Sequence, residues 1–291
     1  MLIPESSDGG RGCGTAFGRP RDFLANRFVY LVVSQRARGL SIGINMNPDK
    51  HCNFDCVYCE VNRAEVAPDS GIDLPTMAAE LEALLHKVQA NQIRELPGFS
   101  HLPEELLELK EVALSGDGEP TLSAQFKEIV GEVVELRRHE AVPFFKIVLI
   151  TNTTGLPLQD VRKGLRLLTS GDEIWVKLEA GTQKYMDKVN VPDITLRKVM
   201  ANILSVARER PVVVQSLFPL ISGEEPSEQE IEKYVHRLQE LKAAGAQIAA
   251  VQVYSAHRPP HLPNCSHLPL ASLSRIARRI RTATGLKAEV F

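Results

Sequence analysis

The chain has 291 residues, of which 44% are apolar and 24% charged, with a formal net charge of −2. That is the composition of an ordinary soluble globular protein and excludes disorder, collagen and coiled coil. Near-neutral charge supplies no long-range field that would by itself gather nucleic acid. The longest uninterrupted apolar run, Phe28 to Val33, falls far short of the ~20 residues of a membrane span.

Residues 1–25 are rich in Gly, Arg and Ser, without an apolar period, and read as a flexible N-terminal extension. Pro4, Glu5, Asp8, Arg11, Arg19 and Arg21 stand where a signal peptide would have its apolar core, so a cytoplasmic, unprocessed protein is expected. Over residues 26–291 a single domain is expected. Its strands, short and dominated by β-branched or aliphatic residues, are predicted near Leu40 to Met46, Glu111 to Ser115, Phe144 to Thr151, Glu173 to Leu178, Val212 to Phe218, Gln247 to Tyr254 and Lys287 to Phe291. Between them, helical spacing marks Thr76 to Gln92, Ala124 to Arg138, Leu158 to Leu168, Leu196 to Arg208, Glu228 to Ala244 and Leu270 to Thr284. Residues 91–110, with Pro97, Gly98 and Pro103, read as an insertion. Apolar strands alternating with helices imply parallel βα units with right-handed crossovers. A partial (β/α)6 barrel of parallel strands with a C-terminal strand is the first expectation, and a doubly wound open sheet fits the same alternation. In both, ligands belong at the C-terminal ends of the strands.

Three of the five cysteines, Cys52, Cys56 and Cys59, follow the first of these strands as a C-x3-C-x2-C run. Thiolates three or four residues apart can converge on one ion or cluster, and zinc, an iron–sulfur cluster and a redox dithiol all use such spacing. A structural zinc wants four protein ligands, whereas a cluster on three leaves one iron open to a small molecule. After the next strand, Gly116-Asp117-Gly118-Glu119-Pro120 sets two glycines around a carboxylate, which allows close backbone approach to a ligand; a plain β-to-α turn is the other reading. Thr151-Asn152-Thr153-Thr154-Gly155 suits a helix cap or ribose contacts. Lys177 and Glu179 share a face at the fourth strand's end, and Gln215 is a polar residue within an apolar strand, read as pocket-lining. Beyond the sixth strand, Arg258 is placed to clamp a carboxylate or phosphate, and His257, His261, Cys265 and His267 are donor types for a metal in a loop that its prolines shape.

With Tyr58 in the aromatic slot, the cysteine run resembles the hallmark of the radical S-adenosylmethionine (SAM) enzymes. The resemblance implies a [4Fe-4S] cluster on Cys52, Cys56 and Cys59, with SAM on its unique iron and cleaved by one electron to methionine and a 5′-deoxyadenosyl radical. The segment with Gly116, Asp117, Gly118 and Glu119 is then similar to the family's Gly-Gly-Glu-Pro motif, with Glu119 on the SAM ammonium; Asn152, Lys177, Glu179 and Gln215 follow as cofactor contacts, and Lys177 and Arg258 as candidate catalytic residues. Within the superfamily, Arg38 to Asn45, the Gly-Glu-Pro-Thr-Leu segment and the Lys-Leu-Glu-Ala-Gly-Thr stretch resemble the iron–sulfur oxidoreductases related to tRNA-wyosine synthases, whose second cluster uses upstream cysteines; here only Cys13 precedes the triplet.

The implied partners are an external electron donor of flavodoxin or ferredoxin type and a hydrogen-bearing substrate, with a tRNA base or nucleotide placed first and a protein, peptide or small molecule after it. Arg275, Arg278, Arg279, Arg281 and Lys287 form an acid-free basic stretch, and residues 1–50 carry 7 basic against 4 acidic groups. The same features with zinc on the cysteines describe a non-catalytic RNA-binding module, the rival reading.

Overall fold

The computed structural model describes residues 23–67, 69–139, 141–256 and 264–291. Most of the expected N-terminal extension, together with Cys13, His257, Arg258 and His261, therefore lies outside the described residues. In chain order the elements are β1 (Val29–Ser34), β2 (Gly39–Asn45), α1 (Leu74–Gln89), β3 (Leu109–Ser115), α2 (Phe126–Leu136), β4 (Lys146–Thr151), α3 (Gln159–Leu165), β5 (Glu173–Lys177), α4 (Gln183–Val189), α5 (Leu196–Ala207), β6 (Val212–Leu217), β7 (Pro219–Ile221), α6 (Glu228–Ala243), β8 (Ile248–Tyr254), β9 (Cys265–His267), α7 (Leu270–Thr284) and β10 (Ala288–Val290). The helices start where polar caps allow it: Asp73, Thr182, Thr195 and Ser227 each accept a backbone N–H from the first turn. Gly285, at φ 69°, ends α7 in the left-handed conformation.

Eight strands form one sheet in the order β1-β2-β3-β4-β5-β6-β8-β10. From β2 onward all neighbours are parallel. The order follows the chain without reversal, so each right-handed crossover returns its helix to the same face and the sheet curls around the other. This is the partial barrel. A doubly wound sheet would require a reversal in strand order, and the sheet has none.

Alternation along each strand then sorts the side chains. Outward residues such as Ile42, Ile44, Leu114, Leu149 and Val176 are fully buried against the helices, while inward ones such as Ser41, Glu111, Trp175 and Gln215 line a lumen. The strand of this sheet missed by the periodicity is β1, which pairs antiparallel with β2; the short β7 and β9, which pair with each other, were missed as well. The six-residue stretch of β1 is apolar throughout except for Ser34, so no polar alternation announced which residues face inward. Tyr30 of β1 lies flat on Gly43, where an added Cβ would stand 2.1 Å from the ring. Its hydroxyl pairs with Ser115 Oγ at 2.9 Å across the lumen. No ladder joins β1 to β10, and Arg38 reaches Glu289 between those edges at 3.4 Å. Residues 91–110 fold as two short 3-10 turns closed by Arg94 Nη1 donating to the Leu102 carbonyl at 2.8 Å.

At the opposite end of the sheet from the cysteines, Arg137 donates from both terminal nitrogens to Asp172, which also accepts from the backbone of Ile147 and Thr169. Burial alone would raise the Asp172 pKa, but the Arg137 guanidinium and the backbone donors outweigh it and hold the carboxyl below its usual value. A carboxyl depressed in the folded state stabilises at pH values above its unfolded value, and that stabilisation is lost as pH falls through the folded value. Asp172→Ala is therefore expected to cost about 3–5 kcal/mol in urea unfolding at neutral pH, because it strands a buried guanidinium. The gap between variant and wild type should narrow below about pH 4.

Candidate functional site

The cysteine loop runs from β2 to α1 with no regular element of its own, so its backbone groups must find partners elsewhere. They find them on the turn after α4: Asp55 N donates to the Asn190 carbonyl at 3.1 Å, Val57 N to Val189 at 2.9 Å, and Phe54 bridges to Pro192. On the other side Glu119 N donates to the His51 carbonyl at 2.9 Å. These ties fix three thiols, all half-buried and free of disulfides.

Each sulfur has a nitrogen donor at hand. Cys52 Sγ accepts from Phe54 N at 3.5 Å, with Asn152 Nδ2 at 4.0 Å; Cys56 Sγ accepts from Asn190 Nδ2 at 3.5 Å, and Cys59 Sγ from Arg63 Nη2 at 3.7 Å. Such N–H···S contacts suit thiolate ligands, whose excess charge they share. Burial, partly opposed by Lys177, pushes the Cys56 thiol up to about 12, so a positive centre is needed to hold it ionised. Among the described residues no three His, Cys, Asp or Glu side chains gather as a single metal ion requires. The fit to a cluster rests on the donor chemistry: three thiols, nitrogen donors to each, and Cys59 opening on the lumen.

Asn190 and Arg63 were invisible in the sequence. Asn190 belongs to a short polar helix end that periodicity passed over, and its signal is burial: an asparagine 3% exposed has to satisfy its amide inside the protein. Its Nδ2 contacts Cys56, the Tyr58 hydroxyl and Glu179 Oε2. The Tyr58 hydroxyl donates to the same carboxylate oxygen, and Lys177 Nζ stands 3.3 Å from that hydroxyl and 5.1 Å from the ring centre. Burial alone would lower the Lys177 pKa, yet Glu179 above all raises it above the ordinary value, so the ammonium stays charged. Burial likewise lifts the Tyr58 phenol well above its usual value. Glu179 Oε1 is buried with no hydrogen-bond partner.

The glycines of the motif make room for the chain itself, and Gly116 also lines the lumen. A Cβ on Gly118 would sit 1.9 Å from the His51 carbonyl oxygen, and one on Gly116 2.6 Å from Asn45 Oδ1. The close approach is to the chain itself, at the root of the cysteine loop. Asp117 receives Asn45 Nδ2 at 2.8 Å, and Asn45 Oδ1 accepts from Asp117 N in return. Glu119 is 3% exposed. Its Oε1 accepts from Thr121 N, Thr121 Oγ1 and Thr151 Oγ1, and its Oε2 from Asn152 N. Burial raises its pKa against these donors. What the carboxylate visibly does is lash the ends of β3 and β4 together. Asn152 Nδ2 in turn reaches Asn53 Oδ1, within the cysteine loop, at 3.0 Å.

One cavity of about 570 Å³ connects these groups: Tyr58, Cys59, Gly116, Lys177 and Gln215 all line it. Gln215 is paired with Gln252 inside it at 3.0 Å. Cys265 is buried in β9, and His267 on the same strand is exposed. The basic stretch is partly compensated: Arg275 pairs with Glu225, Arg279 with Glu228 and Glu232, and Lys287 with Glu289, while Arg281 donates to the Ala288 carbonyl and Arg278 has no ion pair among the described residues. Its charge therefore supplies less of the field expected of a nucleic-acid surface. No helix among the described residues is long and apolar enough to cross a membrane.

Comparison with known proteins follows the same lines. A UPF0026 protein of Synechocystis is 30% identical over 186 residues, covering 62% of this chain and 60% of that protein. Among solved structures, TYW1 with a lysine-pyruvate adduct bound has a TM-score of 0.56 at 13% identity, over 90% of this chain and 86% of that one. Streptococcus suis SuiB bound to S-adenosylmethionine gives 0.53 at 14%, over 84% of this chain and 46% of that one. The chain thus spans three fifths of the length of that curated relative, and the structural likenesses are likenesses of fold. The family model described as the Radical SAM superfamily matches residues 46–238, which begins just ahead of the cysteine loop and takes in four of the six crossovers, and on that match the chain belongs to the radical SAM superfamily.

Proposed function

We propose that this protein is a radical SAM enzyme in which Cys52, Cys56 and Cys59 hold a [4Fe-4S] cluster and the lumen receives SAM and a hydrogen-bearing substrate. The observation that carries the reading is the set of nitrogen donors on all three sulfurs, with Cys59 lining the lumen. When bound, the cluster supplies the electron that splits the C5′–S bond of SAM.

The remaining roles are those of this chain's own groups. Lys177, kept charged by Glu179 above all, is placed for a carboxylate, and the unpartnered Glu179 Oε1 for an ammonium or a ribose hydroxyl. Glu119 keeps only the second lone pair of Oε2 for an ammonium, so its larger part is to position Asn152 and the glycine turn. The curled sheet with its one-sided helical cover keeps bulk water from a reactive carbon radical. An external one-electron donor of flavodoxin or ferredoxin type completes the scheme. A nucleotide remains the first substrate class on resemblance, with no added support from the partly compensated basic helix.

After anaerobic reconstitution, Cys56→Ala is expected to lose most of its bound iron and sulfide and to make no 5′-deoxyadenosine from SAM and dithionite. A variant that kept a full complement of both would remove the basis of the proposal. Glu179→Gln sets an amide donor where the acceptor stands, and is expected to keep the cluster while raising the SAM KM at least about tenfold, the size of effect seen when one charged hydrogen bond is lost. An unchanged KM would clear Glu179 of contact with SAM.

A further inference from the structure

Arg36 lies in the turn between β1 and β2, and its side chain lines the same cavity as Cys59 and Lys177. Its guanidinium carbon stands 4.7 Å from the ring centre of Tyr254 and 5.9 Å from that of Trp175. Its Nε is buried without a hydrogen-bond partner, and no ion pair to Arg36 is found among the described residues. Arg137 and Arg279 meet carboxylates, and Arg210, whose Nε is likewise buried without a partner, spends its Nη2 on the Thr169 and Asp172 carbonyls; Arg36 has no such bond among the described residues. Buried polar nitrogen without a partner is costly, and such groups in native proteins await a ligand or a water.

A second orphan faces the same cavity. Glu111, 1% exposed on β3, accepts from Ser41 Oγ through Oε1, while its Oε2 has no partner. Arg36 and Glu111 are close enough to feel each other's charge but do not pair within 4 Å. Two opposite groups, each with an unused atom, describe the two ends of one ligand: an oxyanion for the guanidinium and a hydrogen-bond donor for the carboxylate.

We propose that Arg36, clamped by Tyr254 and Trp175, is the residue that binds an oxyanion of a small-molecule substrate, a carboxylate or a phosphate, with Glu111 Oε2 accepting from a donor on the same molecule. The guanidinium edge through Nε presents two parallel N–H groups, the geometry that carboxylate and phosphate oxygens match. The stacked rings hold the guanidinium plane in place before the ligand arrives. This assignment rests on the lumen being the reaction chamber, and it narrows the substrate to one small enough, and anionic enough, to reach past Trp175.

Trp175 is the only tryptophan in the chain, so its emission reports on this site without a cluster or turnover. The full-length protein is titrated at constant ionic strength with inorganic phosphate and, separately, with propionate, with sodium chloride as the control. A saturable change with at least one oxyanion and none with chloride is expected; response to phosphate alone assigns a phosphate ester, to propionate alone a carboxylate. Arg36→Gln should weaken the binding at least tenfold. Arg36→Lys, which keeps the charge over the rings but not the fork, should weaken propionate more than phosphate, and it carries the test if the glutamine variant does not fold. Cys56→Ala, expected to lose the cluster, should still bind the anion within twofold of wild type, so the two readings fail separately: a wild-type protein that takes up no cluster yet binds the oxyanion refutes only the enzyme reading. No saturable response to either oxyanion, or the same affinity with and without Arg36, overturns the assignment.

Discussion

A loop without a hydrogen-bond ladder of its own cannot hold three thiols in place, and most of what surrounds the cysteine loop follows from that constraint. Its backbone is satisfied by the turn after α4 on one side and by the glycine turn after β3 on the other. Gly116 and Gly118 are glycines because the chain passes too close for a Cβ. Glu119 then fastens the glycine turn to β4, whose end supplies Asn152 to the cysteine loop. Three strand ends and one short helix thereby converge on a segment that would otherwise pay its ordering entropy alone.

The barrel was legible because each parallel strand is aliphatic on its helix side and carries enough apolar residues on the other to stand out as a short run between helices. The cysteine triplet was legible because its spacing is a chemical statement independent of the fold. Other parts were not. In β1 both faces are apolar, one toward the core and one toward the lumen, so a period of two left no mark. Helix α4 is a seven-residue, largely polar turn started by Thr182, too short for a helical period to show. Asn190 and Arg36 lie in connections where local sequence carries no sign of what the fold brings near them. The glycine motif was found, but its packing against Asn45 and the His51 carbonyl was not, since sequence shows that a Cβ is absent and not what stands in its place.

Electrostatics divides the molecule into two regimes. On the outside, arginines of α7 meet glutamates and contribute little beyond solubility. Inside, Lys177 is offset by Glu179 next to Tyr58, while Arg36 rests on aromatic faces with its Nε buried and unpartnered. Charge held ready in a cavity is how a site prepares for a charged ligand before it arrives, and Lys177 and Arg36 both line this one.

The central claim is that three thiols at the mouth of this lumen hold a cluster to which SAM binds directly. Electron paramagnetic resonance of the reconstituted, dithionite-reduced protein tests it most directly, with spectra taken before and after SAM is added. The account predicts a reduced-cluster signal whose g-values move when SAM binds, because a ligand on the cluster's open iron alters its electronic structure. A signal indifferent to SAM, or a reconstituted protein that gives none, would contradict it.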